Sequence, residues 1–140
     1  MKNFTKLFIL LFCTTGALPA FSFPKLTSHP TATATIFLDF DGHMVTGSTW
    51  NGGIPINCAA APLTDAQVLE IFNRVSEDYR PFNINITTDS TYFLAAPISN
   101  RMRVIITPTS SWKPGVGGVA YIGSFTWGDD NPCFVFTDRL

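Results

Sequence analysis

Histidine is nearly missing from this chain, with two among 140 residues, His29 and His43. A catalytic zinc site needs three protein ligands and an open position. Neither histidine has a second imidazole at helical spacing, so the chain has no zinc site of its own. Charge is sparse as well: charged side chains make up 14% of the residues, nine basic against ten acidic. No basic cluster exists to neutralise phosphates, which argues against nucleic acid as a partner. No apolar run reaches the roughly 20 residues that span a ~30 Å hydrocarbon layer. The longest, Leu7 to Cys13, continues loosely to Phe21 and is interrupted by Thr14, Thr15, Gly16 and Pro19.

What is there begins with that run. Lys2 and Lys6 precede it, and the small residues Ala20 and Ser22 flank Phe21, the pattern of a secretory signal peptide over residues 1–22. Cleavage is expected after Ser22, with Ala17 to Ala20 as the alternative. A lipoprotein reading of Cys13 is weakened by the bulky Phe12 before it. Removal of Lys2 and Lys6 leaves seven basic residues against the ten acidic, on 118 of the 140 residues, enough for one domain or part of one. The chain is therefore expected in a secreted, periplasmic or extracellular setting. There Cys58 and Cys133 would close a disulfide by default. Two free buried thiols are the main alternative; a zinc thiolate pair lacks neighbouring ligands.

Residues 23–34, rich in Pro, Ser, Thr and Ala, read as a linker or leading arm. The domain is expected over 35–140. Thr35 to Phe40 is β-branched and aromatic and stops at the turn dipeptide Asp41-Gly42, which predicts a strand. Met44 to Pro62, with three glycines and two prolines, predicts a long loop with a short extended piece. Thr64-Asp65-Ala66-Gln67 has the form of a capping box. From there Val68, Ile71, Phe72, Val75 and Tyr79 recur as one helical stripe, stopped by Pro81. Alternation at Phe82, Ile84 and Ile86 predicts a half-buried strand, Met102 to Thr107 a central one, Val119 to Ile122 a short edge strand between glycines, and Cys133 to Thr137 a last strand. Together these predict an α+β fold: a twisted mixed sheet of about five strands with one long amphipathic helix on a face. The opposite face, fed by Ile105, Phe134 and Phe136, is expected to lie open to water.

The wording of several segments is distinctive. Ile36 to His43, Val75 to Phe82, Val104 to Thr109, Gly117 to Phe125 and Phe134 to Asp138 together resemble the opening half of a group of secreted bacterial metzincin-like zinc peptidases. In that family a helix carrying H-E-x-x-H-x-x-G-x-x-H follows, its histidines holding zinc and its glutamate serving as general base. None of it is present here. The resemblance implies a metzincin-like N-terminal subdomain, with zinc and peptide hydrolysis belonging to the complete protein and peptide or protein as substrate. For this chain it implies only a docking edge at Gly118, Val119, Ala120 and Tyr121, where an extended peptide would pair through main-chain hydrogen bonds. An exported, non-catalytic binding module is the alternative.

Asp39-Phe40-Asp41-Gly42 is also similar to the nucleophile motif of haloacid-dehalogenase-type phosphatases, with Thr107, Lys113 and Asp129-Asp130 as further matches. Spacing opposes it: five residues separate Thr107 from Lys113, whereas a parallel crossover needs a dozen or more. Asp129 and Asp130 read as a solvated turn rather than a calcium site. Trp112, Tyr121, Phe125 and Trp127 read as core rather than binding surface.

Overall fold

The computed structural model describes residues 22–140. The signal peptide expected over residues 1–22, and Cys13 within it, lies outside the described residues apart from Ser22.

The fold is α+β, built on a mixed five-stranded sheet. Its strands are β1 (Ala34–Asp39), β4 (Ile84–Thr87), β5 (Arg101–Thr107), β6 (Gly118–Val119) and β7 (Cys133–Phe136), in the order β4-β1-β5-β7-β6. The first four run parallel, and β6 closes one edge antiparallel to β7. The helix α1 (Asp65–Asp78) lies between β1 and β4 in sequence, and the short α2 (Ser90–Ala95) between β4 and β5. No helix among the described residues is long and apolar enough to cross a membrane.

The start of α1 is locally determined. Thr64 Oγ1 accepts from the Gln67 amide at 3.3 Å, and the Gln67 side chain accepts from the Thr64 amide at 2.9 Å, so two donors without helical partners are satisfied. Val68 and Phe72 are buried against Ile36, Leu38 and Ile86 of the sheet, while Arg74 and Glu70 pair on the wet side at 2.7 Å. The stripe is wider than this contact. Ile71, Val75 and Tyr79 reach past the covered strands and line an open groove.

The opposite face is closed, contrary to the expectation from Ile105, Phe134 and Phe136, each of which is at most 1% exposed. The cover is the segment expected to be a loop. It folds into an antiparallel hairpin of β2 (His43–Val45) and β3 (Ile56–Cys58), with a 3-10 turn at Trp50–Gly53. Val45, Trp50, Ile56 and Cys58 pack onto the three sheet residues. Strand alternation showed that the sheet has two apolar faces; it carried no information about which loop would lie on which.

Two further departures position neighbouring groups. The turn-rich stretch after β4 contains α2, whose Phe93 packs on Phe37 with ring centroids 5.7 Å apart, on the same face as the hairpin. The arm at 23–34 is tied along β4: the Ser28 amide donates to the Ile86 carbonyl and the Thr88 amide to the Leu26 carbonyl, both at 3.0 Å. An arm too polar to form a core can still satisfy the hydrogen bonds of a sheet edge.

Candidate functional site: the β6 edge and the groove beside α1

Edge strand β6 is shorter than the Val119 to Ile122 expected. Gly118 pairs with Val135 and Val119 with Phe134, and the Phe136 amide donates to the Gly117 carbonyl at 2.8 Å. Glycine is required at 118 because a Cβ there would stand 2.7 Å from the Phe134 carbonyl oxygen. Among the described residues β6 has a sheet neighbour on one side only, so its outer edge is available to an extended chain. Ala120 and Tyr121 leave the ladder. Tyr121 turns inward and stacks on Trp50, and Ile122 projects fully into solvent.

Beneath this edge, on the side of α1, runs an apolar groove of about 770 Å³. Its wall is Ile71 and Val75 of α1, its floor Val104 and Ile106 of β5 with Cys133 and Val135 of β7. Phe125 stands at the rim, half-buried. Its surface is the continuation of the core around Val68 and Phe72, left open because α1 packs over β4 and β1 and, among the described residues, only the short 3-10 turn Ser124–Thr126, through Phe125, reaches β5 on that side.

The cysteines do not form the expected disulfide; both thiols are free. Cys58 packs with Ile105 and Phe134 on the hairpin face, whereas Cys133, one position along β7 from Phe134, points to the groove face beside Met102. The sheet stands between them, and a bridge requires Cβ atoms within about 4.5 Å. Burial, together with the nearby Asp39, pushes the Cys58 thiol up to about 11, and burial raises Cys133.

The titratable residues of the β1–β2 turn gather at the end of β1. Asp39 is buried, with Arg103 donating to its Oδ2, while its Oδ1 finds no donor among the described residues. Burial and the adjacent Asp41 carboxyl push Asp39 up to about 7 against the pull of Arg103. The Arg103 guanidinium lies 5.2 Å from the Phe37 ring centroid and 4.9 Å from that of Phe93, and contacts His43 Nδ1 at 3.1 Å. A nucleophilic aspartate must meet its substrate, and Asp39 is 1% exposed; Thr107 is sealed and donates to the Ala59 carbonyl. The phosphatase-like residues therefore do not assemble an open site.

No group of three or more His, Cys, Asp or Glu among the described residues is placed to hold a metal ion. His29 sits in the arm and His43 against Arg103. Asp129 caps the Asn131 amide, and Asp130 receives Arg101 through two bonds of 3.0 and 2.9 Å. Of the aromatics expected in the core, Trp112, Tyr121 and Phe125 are half-buried, while Trp127 is exposed. Comparison with protein-family models, with curated proteins and with solved structures finds no match.

Proposed function

We propose that this chain is the sheet-bearing N-terminal part of a secreted zinc-dependent endopeptidase, the metal ligands being supplied by a helix outside it. The observation that carries the proposal is the groove beside α1, an apolar surface aligned with a helix whose stripe is wider than its sheet contact. A second helix laid beside α1 would cover Val104, Ile106 and Val135 and complete a core of helices on one sheet face. The resemblance implies an opening in the order strand, helix, strand, strand, edge strand, strand, and β1, α1, β4, β5, β6 and β7 follow one another in that order, with the hairpin and α2 as additions to it. In this role β6 holds the substrate as an added strand, and the chain by itself is inactive.

The test is the coding sequence following Leu140. An H-E-x-x-H segment within a few tens of codons, in a longer protein that cleaves peptides and loses activity on chelation, supports the proposal. A stop codon there supports an exported binding module that uses the same edge and groove without chemistry.

A further inference from the structure

Arg103 ties the sheet to the start of β2, whereas other polar ties of the hairpin lie elsewhere, such as those from the Thr107 hydroxyl to the Ala59 carbonyl after β3 and from Trp50 Nε1 to the Pro132 carbonyl. From the central strand β5 Arg103 Nη1 donates to Asp39 Oδ2 at the end of β1, and the same nitrogen lies 3.1 Å from Nδ1 of His43, the first residue of β2. A guanidinium has donors and no acceptor, so His43 Nδ1 must be the acceptor and the ring proton must sit on Nε2. Protonating the imidazole would set one N–H against another and one cation against another at this contact.

We propose that this contact is a proton-operated latch: Arg103 holds the His43 end of the β2–β3 hairpin against the sheet while the imidazole is neutral, and protonation of His43 releases that end. The groups that face it are Asp39 and Asp41 from β1 and its turn, Arg103 from β5 and the Cys58 thiol from β3; the Phe37 and Phe93 rings flanking the guanidinium carry no charge.

Burial and then the Arg103 charge lower His43 from its ordinary 6.5, outweighing the favourable Asp41 carboxylate. Release therefore falls on the acid side of that value. Asp39 moves it further to the acid side: with its carboxyl at about 7, its negative charge is withdrawn over the same acid range, leaving Arg103 uncompensated beside the ring and opposing the proton on His43. The far part of the hairpin stays pinned by Trp50 Nε1, which donates to the Pro132 carbonyl at 2.8 Å, and by buried Val45 and Ile56. The latch is a local opening and not an unfolding, and it is independent of peptide docking at β6.

Amide hydrogen exchange of the 140-residue chain, corrected for the intrinsic pH dependence, tests it between about pH 7.5 and about pH 5, across the histidine range. The amides of His43, Met44, Asn57 and Cys58 are expected to exchange several-fold faster at the acid end, with those of Val45, Ile56, β1 and β5 unchanged. His43→Asn, whose amide oxygen takes the place of Nδ1 and binds no proton, is expected to keep the slow exchange at both ends. Imidazole nitrogen shifts in the wild-type chain provide a second measurement, expected to report the Nε2–H form and a titration below 6.5. Hairpin exchange indifferent to pH, acid-accelerated exchange undiminished in His43→Asn, or an Nδ1–H ring would each overturn the latch.

Discussion

Tyr121 stacks on Trp50 with ring centroids 3.9 Å apart and planes inclined by 20°, joining the end of the β6 edge to the turn of the β2–β3 hairpin. Trp50 also meets Phe134 and Trp112 edge-on, both at 5.8 Å. Offset stacking and edge-to-face contact each suit the ring quadrupoles, so one indole organises the cover of that sheet face.

Trp50→Ala removes this organiser and the bond to Pro132 together. The expected cost is about 3–5 kcal/mol of stability, the range for large aromatic truncations in a core. Urea unfolding measures it, and a loss below about 1 kcal/mol would mean that the hairpin cover is not cooperative with the sheet.

Gly118→Ala should be more harmful than its exposure suggests. The added methyl meets backbone at the Phe134 carbonyl, which no rotamer change can relieve, so β6 must part from β7. A loss of about 1–3 kcal/mol is expected. Gly128→Ala is the comparison: its Cβ would meet nothing within 4 Å, and its positive φ alone is expected to cost about 1 kcal/mol. Equal losses at the two positions would show that the close approach at 118 does not matter.

Asp39 should set a descending limb in the stability–pH profile. Its carboxyl is raised from 3.8 to about 7 on folding, so between those values the folded chain holds more proton than the unfolded one. Stability contributed by this group is then fully present below pH 4 and falls as pH rises towards 7. His43, lowered on folding, contributes with the opposite sign below 6.5. Urea midpoints compared in His43→Asn and in His43→Asn/Asp39→Asn isolate the carboxyl: the slope should be negative in the first and absent in the second.

Thiol labelling distinguishes the two faces of the sheet. In the native chain Cys133, lining the groove, should alkylate well before Cys58, which is buried under the hairpin and carries the thiol raised to about 11. Both should react in denaturant without reductant. A mass lacking two protons with neither residue labelled would restore the disulfide.

The stripe on α1 should divide by energy. Val68→Ala, at a site with no exposure, is expected to cost about 2 kcal/mol, and Val75→Ala, facing the groove, less than half of that. If the two cost the same, the groove is covered in solution.

Local chemistry was readable in the chain before any fold was known. Thr64 and Gln67 mark the start of α1 because a capping box closes within four residues, and Pro81 marks the region where it must stop. The strands β1, β4, β5 and β7 follow from β-branched and aromatic runs, since pleat periodicity is a property of neighbouring residues. Two further elements, the hairpin of β2 and β3 at His43–Cys58 and α2 at Ser90–Ala95, were hidden. Their segments carry turn residues, and they are ordered by burial against Ile105, Phe134 and Phe37, contacts no short window contains. The separation of Cys58 from Cys133, the meeting of Arg103 with Asp39 and His43, and the choice of which face stays open were likewise decided only by tertiary structure. Alternation assigns a side chain to one of two faces, but the partner on that face comes from elsewhere in the chain, and it is long-range packing that selects it.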